Sequence, residues 1–292
     1  MPRRPQPLRV AIDTGGTFTD CVWIDSTDRL RMLKVFSTPA DPSQAIVEAL
    51  SKINHEGELI VLHGTTVGTN TLLERKGART ALVTTAGFED AIEIGRQARP
   101  KLYDFFFDRV EPLVPADLRF GIEERTASDG TILTSPSLTD LKSLASEVAA
   151  KQPESIAVSL LFSFANPKNE LAIVEALKPI GIPLSISHQI LPEFREYERT
   201  STVVINAYLQ PVMQLYLENL ERRTEELITR RLKSEVAFVE ERNFSAANST
   251  KKKYGGLTPK GQRTPRIFVM QSSGGITALA AAARVPVRTV LS

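Results

Sequence analysis

The chain has 292 residues, 42% hydrophobic and 24% charged, with a formal net charge of +2. These values describe a globular protein of one large or two medium domains, and a charge so near zero argues against nucleic acid or an anionic membrane as partner. The single cysteine, Cys21, excludes an internal disulfide and a cysteine-rich zinc site.

No apolar run reaches the ~20 residues of a membrane span. The basic start, Met1 to Leu8, lacks the apolar stretch of a secretory signal, so a cytoplasmic protein is expected. An apolar strand from Leu8 to Ile12 runs into Asp13, then Thr14-Gly15-Gly16-Thr17, then a second strand with Cys21, Val22, Trp23 and Ile24. Cys21 reads as a buried structural thiol.

The paired glycines are expected to take positive φ and, lacking Cβ atoms, to let backbone N–H groups approach an anion. Thr14, Thr17 and Thr19 add hydroxyl donors, while Asp13 and Asp20 offer hard oxygen ligands suited to Mg²⁺. The same Gly-Gly is also an ordinary hairpin turn. The segment has neither the lysine of a P-loop nor the G-x-G-x-x-G spacing, so residue types alone leave both readings open.

A third strand from Arg31 to Phe36 completes an antiparallel meander. Asp41-Pro42-Ser43-Gln44 then starts a helix with Ile46, Val47 and Leu50 on its apolar side. A short strand from Leu59 to Leu62 opens into His63-Gly64-Thr65-Thr66. A helix follows from Val67 to Lys76, ending at Gly77, and then a strand from Thr80 to Thr84. This order predicts a mixed sheet with helices on its faces. Gly87 to Arg125, with Phe88, Tyr103, Phe105, Phe106 and Phe107, reads as irregular but packed.

A helix capped by Thr139 comes next, then a strand from Ile156 to Phe162. The helix after it is capped by Asn166-Pro167 and ends near Gly181, before a strand from Ile182 to Ile186. The longest helix, from Glu193 to about Leu232, should break or kink at Pro211. The charges from Glu193 to Arg199 read as a solvated helix face. Asn243 to Pro265, with Lys251, Lys252 and Lys253, reads as a disordered surface insert. A last strand, Ile267 to Met270, enters Gln271-Ser-Ser-Gly274-Gly275.

Three Gly- or Thr-rich turns thus follow apolar strands, and ligands of α/β sheets gather at such places. The candidate phosphate contacts are Asp13, Thr14, Gly15, Gly16, Thr17, Thr19, Gly64, Thr65, Thr66, Gly274 and Gly275, with Asp13 and Asp20 as metal ligands. Asn70, Arg96 and Gln97 are candidate substrate contacts, the arginine as a bidentate carboxylate fork or a structural ion pair. His63 reads as hydrogen-bonded structure rather than an acid–base group. No triad or zinc spacing occurs, and no catalytic residue is assigned.

The chain resembles the N-terminal part of the hydantoinase A/5-oxoprolinase family. The matching segments, in the family's order, are Ile12 to Asp20, His63 to Arg75, Thr84 to Asp90, Ile94 to Gln97, Leu191 to Thr200 and Met270 to Gly275. The resemblance implies an α/β, actin/sugar-kinase-like ATPase fold whose lobes close over Mg-ATP. It makes Asp13 to Asp20 the first phosphate loop, with Asp13 holding the metal through water and Gly15, Gly16 and Thr17 touching phosphates. Family members use ATP to open cyclic amides such as 5-oxoproline and hydantoins, or to carboxylate ketones.

The resemblance also implies a division into an N-terminal domain over 1–240, a basic insert over 241–266 and the start of a second domain over 267–292. The Gly-Pro-Ala-Gly-Gly stretch and the second Asp-x-Gly-Gly-Thr loop that follow in the family do not occur. One half of a nucleotide site is therefore expected. The activity implied is hydrolysis of a cyclic amide, 5-oxoproline first. The alternatives are ketone carboxylation and a non-catalytic fragment that associates with a full-length relative. A homo-oligomer or a hydantoinase B-type domain or subunit is the partner implied.

Overall fold

The computed structural model describes residues 7–53, 58–96, 110–247 and 266–290. In chain order its elements begin with β1 (Leu8–Thr14), β2 (Phe18–Ile24), β3 (Leu30–Phe36), α1 (Pro42–Lys52), β4 (Leu59–Thr65), α2 (Val67–Leu73) and β5 (Thr80–Thr85). They continue with α3 (Ala91–Ile94), β6 (Arg119–Ile122), β7 (Arg125–Thr126), β8 (Ile132–Thr134), α4 (Leu138–Ala150), β9 (Ser155–Ser159) and α5 (Lys168–Leu177). The last are β10 (Leu184–Ile186), α6 (Ser187–Ile190), α7 (Glu196–Ala247), β11 (Arg266–Met270), β12 (Ile276–Ala278) and α8 (Leu279–Arg284).

Two compact units are present. The first comprises Met1–Thr66 and Leu215–Ala282 with the last two residues, and the second Val67–Gln214 and Ala283–Val290. The first is built on a six-stranded sheet in the order β12-β11-β4-β1-β2-β3. The predicted meander is there, β1–β2–β3 antiparallel, while β4 and β11 join in parallel with β1. Val10, Ile12, Cys21, Val61 and Val269 are buried on one face of this sheet. Helix α1 packs on β1, β2 and β3. Its Asp41 cap accepts from the Ser43 N–H at 3.2 Å, and Pro42 follows the cap. The C-terminal half of α7 is tied to α1 by an Arg223–Asp41 ion pair at 2.6 Å, and by Arg231 Nη2 donating to the Leu50, Ser51 and Ile53 carbonyls.

The second unit has a four-stranded, all-parallel sheet in the order β10-β9-β5-β6. Every residue of β5 and β9 is buried, as continuous apolar and β-branched runs require of strands covered on both faces. One core joins Val83, Ile156 and Val158 with Leu144 and Val148 of α4 and Ile173 and Leu177 of α5. On the other face Leu82 and Ala157 meet Val203, Val204 and Ala207 of α7.

Several boundaries differ from the sequence reading. Helix α4 is capped by Ser137, not Thr139: Ser137 Oγ accepts from the Asp140 N–H at 3.1 Å, and the Asp140 carboxylate accepts in return from the Ser137 N–H. Helix α2 ends at Leu73, short of Lys76. The stretch read as irregular before Arg125 contributes β6, which joins the sheet beside β5. Its aromatic cluster at Tyr103 to Phe107 lies outside the described residues.

The largest correction is α7. It begins at Glu196, passes through Pro211 without interruption and continues to Ala247, into the stretch read as a disordered insert from Asn243. A proline costs a helix about 3 kcal/mol through its missing N–H and ring clash. The buried flanking side chains Leu209, Met213 and Leu217 supply the packing that offsets this cost. The remainder of the predicted insert, including the three lysines, lies outside the described residues.

Candidate functional site

Because β1, β4 and β11 are parallel, their carboxyl ends share one edge of the sheet. The turns after them, 14–18, 65–66 and 271–275, therefore converge there, which the sequence alone does not reveal. Gly15 N–H donates to the Phe18 carbonyl at 3.0 Å. Ser37 straps the loop from β3: its Oγ donates to the Gly15 carbonyl at 2.7 Å and its N–H to the Thr17 carbonyl at 2.9 Å. Thr66 Oγ1 donates to the Thr14 carbonyl at 3.0 Å. Ser37 carried no sequence signal, because its role comes from strand pairing.

Neither Gly15 nor Gly16 takes the expected positive φ. A Cβ on Gly15 would lie 3.1 Å from the Phe18 carbonyl oxygen, whereas one on Gly16 would meet nothing within 4 Å. Gly16 thus presents bare backbone to open space. Gly274 and Gly275 do take positive φ, 86° and 91°, and form the hairpin turn between β11 and β12.

Asp13, Asp20 and Lys34 stand in one row across β1, β2 and β3, and Gly64 of β4 is the neighbour of Asp13 on the other side. A Cβ on Gly64 would fall 3.2 Å from Asp13 Oδ1 and 3.5 Å from Met270 Sδ, so the missing side chain is what leaves room for the carboxylate. Asp13 is exposed and makes no hydrogen bond or ion pair among the described residues. Asp20 instead pairs with Lys34, Oδ1 to Nζ 3.1 Å. The two predicted metal carboxylates differ accordingly: Asp13 is available to a cation and Asp20 is already neutralised. A lone free carboxylate beside open backbone suits a water-clad Mg²⁺ shared with a phosphate. Among the described residues, no group of three or more His, Cys, Asp or Glu forms a metal cage.

Thr14, Thr19 and Thr65 lie on the opposite, covered face and are buried. Thr19 Oγ1 is 3.0 Å from Ser37 Oγ. His63, wholly buried beneath this edge, hydrogen-bonds through Nε2 to the Tyr216 hydroxyl of α7 at 2.6 Å. Burial pulls its pKa down to about 4, so the imidazole is neutral near pH 7. It is structural, as the sequence reading has it, and Tyr216 is the partner that reading missed. Burial likewise raises the Tyr216 hydroxyl and pushes the Cys21 thiol up to about 12.

Thr17 is exposed in the turn. Asn70 is exposed on α2, and Arg96 is ion-paired with Glu198, both in the second unit. Gln97 lies outside the described residues. Arg199, read as part of a solvated face, is 1% exposed. Its Nη1 and Nη2 donate to the Glu193 and Leu160 carbonyls at 2.7 and 2.9 Å, and its guanidinium lies 5.3 Å from the Phe164 ring centre.

Comparison with known proteins matches residues 9–181 to the hydantoinase/oxoprolinase N-terminal region and residues 199–292 to the hydantoinase/oxoprolinase family. An uncharacterized protein of Methanocaldococcus jannaschii is 42% identical over 72% of this chain and 32% of its own length. Caprolactamase subunit alpha of Pseudomonas jessenii is 35% identical over 76% of this chain and 34% of its own, and a 5-oxoprolinase of Dictyostelium discoideum 31% over 74% and 20%. The chain thus spans about a third or less of these relatives.

Among solved structures, acetone carboxylase superposes with a TM-score of 0.73 at 24% identity, covering 99% of this chain and 39% of its own. The ATP-dependent caprolactamase superposes with a TM-score of 0.71 at 28% identity, covering 96% and 38%. The fold is therefore the mixed α/β, ATPase-like one expected. Among the described residues no helix is long and apolar enough to cross a membrane.

Proposed function

Because this chain belongs to the hydantoinase/oxoprolinase family, we propose that its first unit supplies one wall of a Mg-ATP site serving activation of an amide or carbonyl, with a cyclic amide such as 5-oxoproline as substrate. The observation that carries this reading is the unpaired Asp13 carboxylate beside the bare Gly16 backbone, at an edge where three strand-end turns converge. Asp13 would hold the hydrated metal, and the backbone of Gly15, Gly16 and Thr17 would face the phosphates. When bound, ATP supplies a phosphoryl group that turns an inert amide oxygen into part of a leaving group. This chain's contribution is to bind, orient and neutralise charge. The strapping by Ser37 and Thr66 holds the loop ready without reorganisation.

The test is titration of the chain with a fluorescent ATP analogue, with and without Mg²⁺. Magnesium-dependent binding weakened at least tenfold in Asp13→Asn supports the reading; binding indifferent to both would sink it. The substrate is tested in the chain joined to the remaining region of a relative, by ATP- and 5-oxoproline-dependent glutamate formation. A requirement for bicarbonate and a ketone instead would assign the carboxylase reaction, the family's other chemistry.

A further inference from the structure

Asp13 is available to a cation because no side chain among the described residues holds it. Its aim must therefore come from its neighbours in the strand. Successive side chains of a strand point to opposite faces, so fixing Thr14 on the covered face fixes Asp13 on the other. Thr14 and Thr65 are the last residues of β1 and β4 and stand side by side in the sheet, two residues beyond the matching pair Ile12 and His63. All four are buried. The phosphate-loop candidate and the 65–66 turn begin directly from them.

Beneath this pair lies the Tyr216 hydroxyl of α7. It meets His63 Nε2 at 2.6 Å and the side chains of both Thr14 and Thr65. Thr14 Oγ1 is sealed from water and makes no hydrogen bond of regular geometry, so the Tyr216 oxygen is what it has to turn to. A phenol oxygen gives one proton and accepts two; with its own proton on the neutral His63 Nε2, it receives from both threonines. A buried network of this kind is stiff when complete and costly when one member is lost. The helix that carries the hydroxyl is itself tethered within the same unit. Arg223, about 10 Å further along α7, pairs with Asp41, and Arg231 donates to the carbonyls at the end of α1.

Three groups from three elements thus hold two consecutive residues: Tyr216 the Thr14 side chain, Thr66 the Thr14 carbonyl and Ser37 the Gly15 carbonyl. For packing alone phenylalanine would fill the same space with no polar atom to satisfy. We propose that the Tyr216 hydroxyl is a positioning group for the nucleotide site. Anchored on His63 and gripping Thr14 and Thr65 from beneath, it sets the ends of β1 and β4 from which Asp13 and the backbone of Gly15, Gly16 and Thr17 are presented. The proposal rests on the nucleotide reading above and adds to it a residue that acts through the strand ends rather than by touching nucleotide or metal.

Amide hydrogen exchange in the unliganded chain tests the grip, and titration with N-methylanthraniloyl-ATP and Mg²⁺ tests its consequence. The Gly15 and Ser37 amides close the loop onto the Phe18 and Thr17 carbonyls. In Tyr216→Phe both should exchange at least tenfold faster while the amides of α1 hold their rates, a local loosening that a merely structural loss would not give. Nucleotide affinity should fall at least fivefold in the folded variant. Thr14→Val should reproduce this pattern from the other end of the contact, and Thr14→Ser, which keeps the hydroxyl, should recover most of it. Ile46→Val, a change in the buried side of α1, should leave Gly15 exchange and affinity as they are. Gly15 exchange unchanged in Tyr216→Phe and Thr14→Val, or accelerated equally across α1, overturns the proposal. So does wild-type affinity in both variants while Asp13→Asn loses it, a result that leaves the nucleotide reading intact. Binding indifferent to Mg²⁺ and to Asp13→Asn removes that reading and this proposal with it.

Discussion

The two units treat their sheets differently. In the second, α4 and α5 cover one face of β5 and β9 and the N-terminal half of α7 the other, so every residue of both strands is buried. In the first, α1 and the C-terminal half of α7 belong to one face, and the other leaves Leu30, Met32 and Phe36 largely exposed. The second sheet is a finished core, and its carboxyl edge carries closed polar networks. Glu170 accepts from Ser187 Oγ at 2.7 Å and pairs with His188 Nδ1 at 2.5 Å, and Glu124 accepts from Asn169 Nδ2 at 2.8 Å. The first sheet keeps an unpaired carboxylate and, at its β3 edge, exposed apolar side chains. Satisfied groups stabilise; the unsatisfied carboxylate marks where something else binds.

The contrast can be broken by substitution. The largest effect is expected in the second unit, where Ile156→Ala should cost about 2–5 kcal/mol in urea unfolding by opening a cavity between sheet and helices. Gly77→Ala should cost about 3 kcal/mol, because the new Cβ would lie 2.1 Å from a Tyr208 ring carbon; most of that loss should return on adding Tyr208→Leu.

In the first unit, burial holds the His63 pKa near 4 in the folded chain against ~6.5 unfolded. Below the unfolded value the unfolded chain binds the extra proton. Stability should therefore fall by about 3 kcal/mol as pH drops from 6.5 toward 4, and remain level above 7. His63→Phe should flatten that slope. Tyr216→Phe, which leaves Nε2 without its partner, should cost about 1–3 kcal/mol at pH 7. The smallest effect belongs to the exposed β3 edge: Met32→Lys should change the stability of the chain by less than about 0.5 kcal/mol. A loss as large as that of Ile156→Ala would show both sheets to be equally enclosed.

Much of this organisation was legible in the chain. The meander, the helix beginning at Asp41-Pro42 and the buried β5 and β9 follow from alternation, capping chemistry and continuous apolar runs, all of which act over a few residues. The first phosphate-loop candidate was legible for the same reason, since Asp13 and Gly16 lie three residues apart. Reading α7 as broken at Pro211 failed because a local rule was overridden by packing against elements distant in sequence. Arg199 was misjudged similarly: its neighbours Leu160 and Phe164 are more than thirty residues away.

By itself, then, the amino-acid order determined which segments are strands and helices, and which short motifs carry carboxylates, hydroxyls and bare backbone. Tertiary structure alone decided how those motifs are used. Parallel pairing of β1, β4 and β11 brought three separate turns to one edge. The missing side chain of Gly64 gave Asp13 its place, and pairing with Lys34 set Asp20 apart from it. The physical reason is range: propensity and capping act between neighbours in the chain, whereas availability of a carboxylate depends on what the fold places beside it.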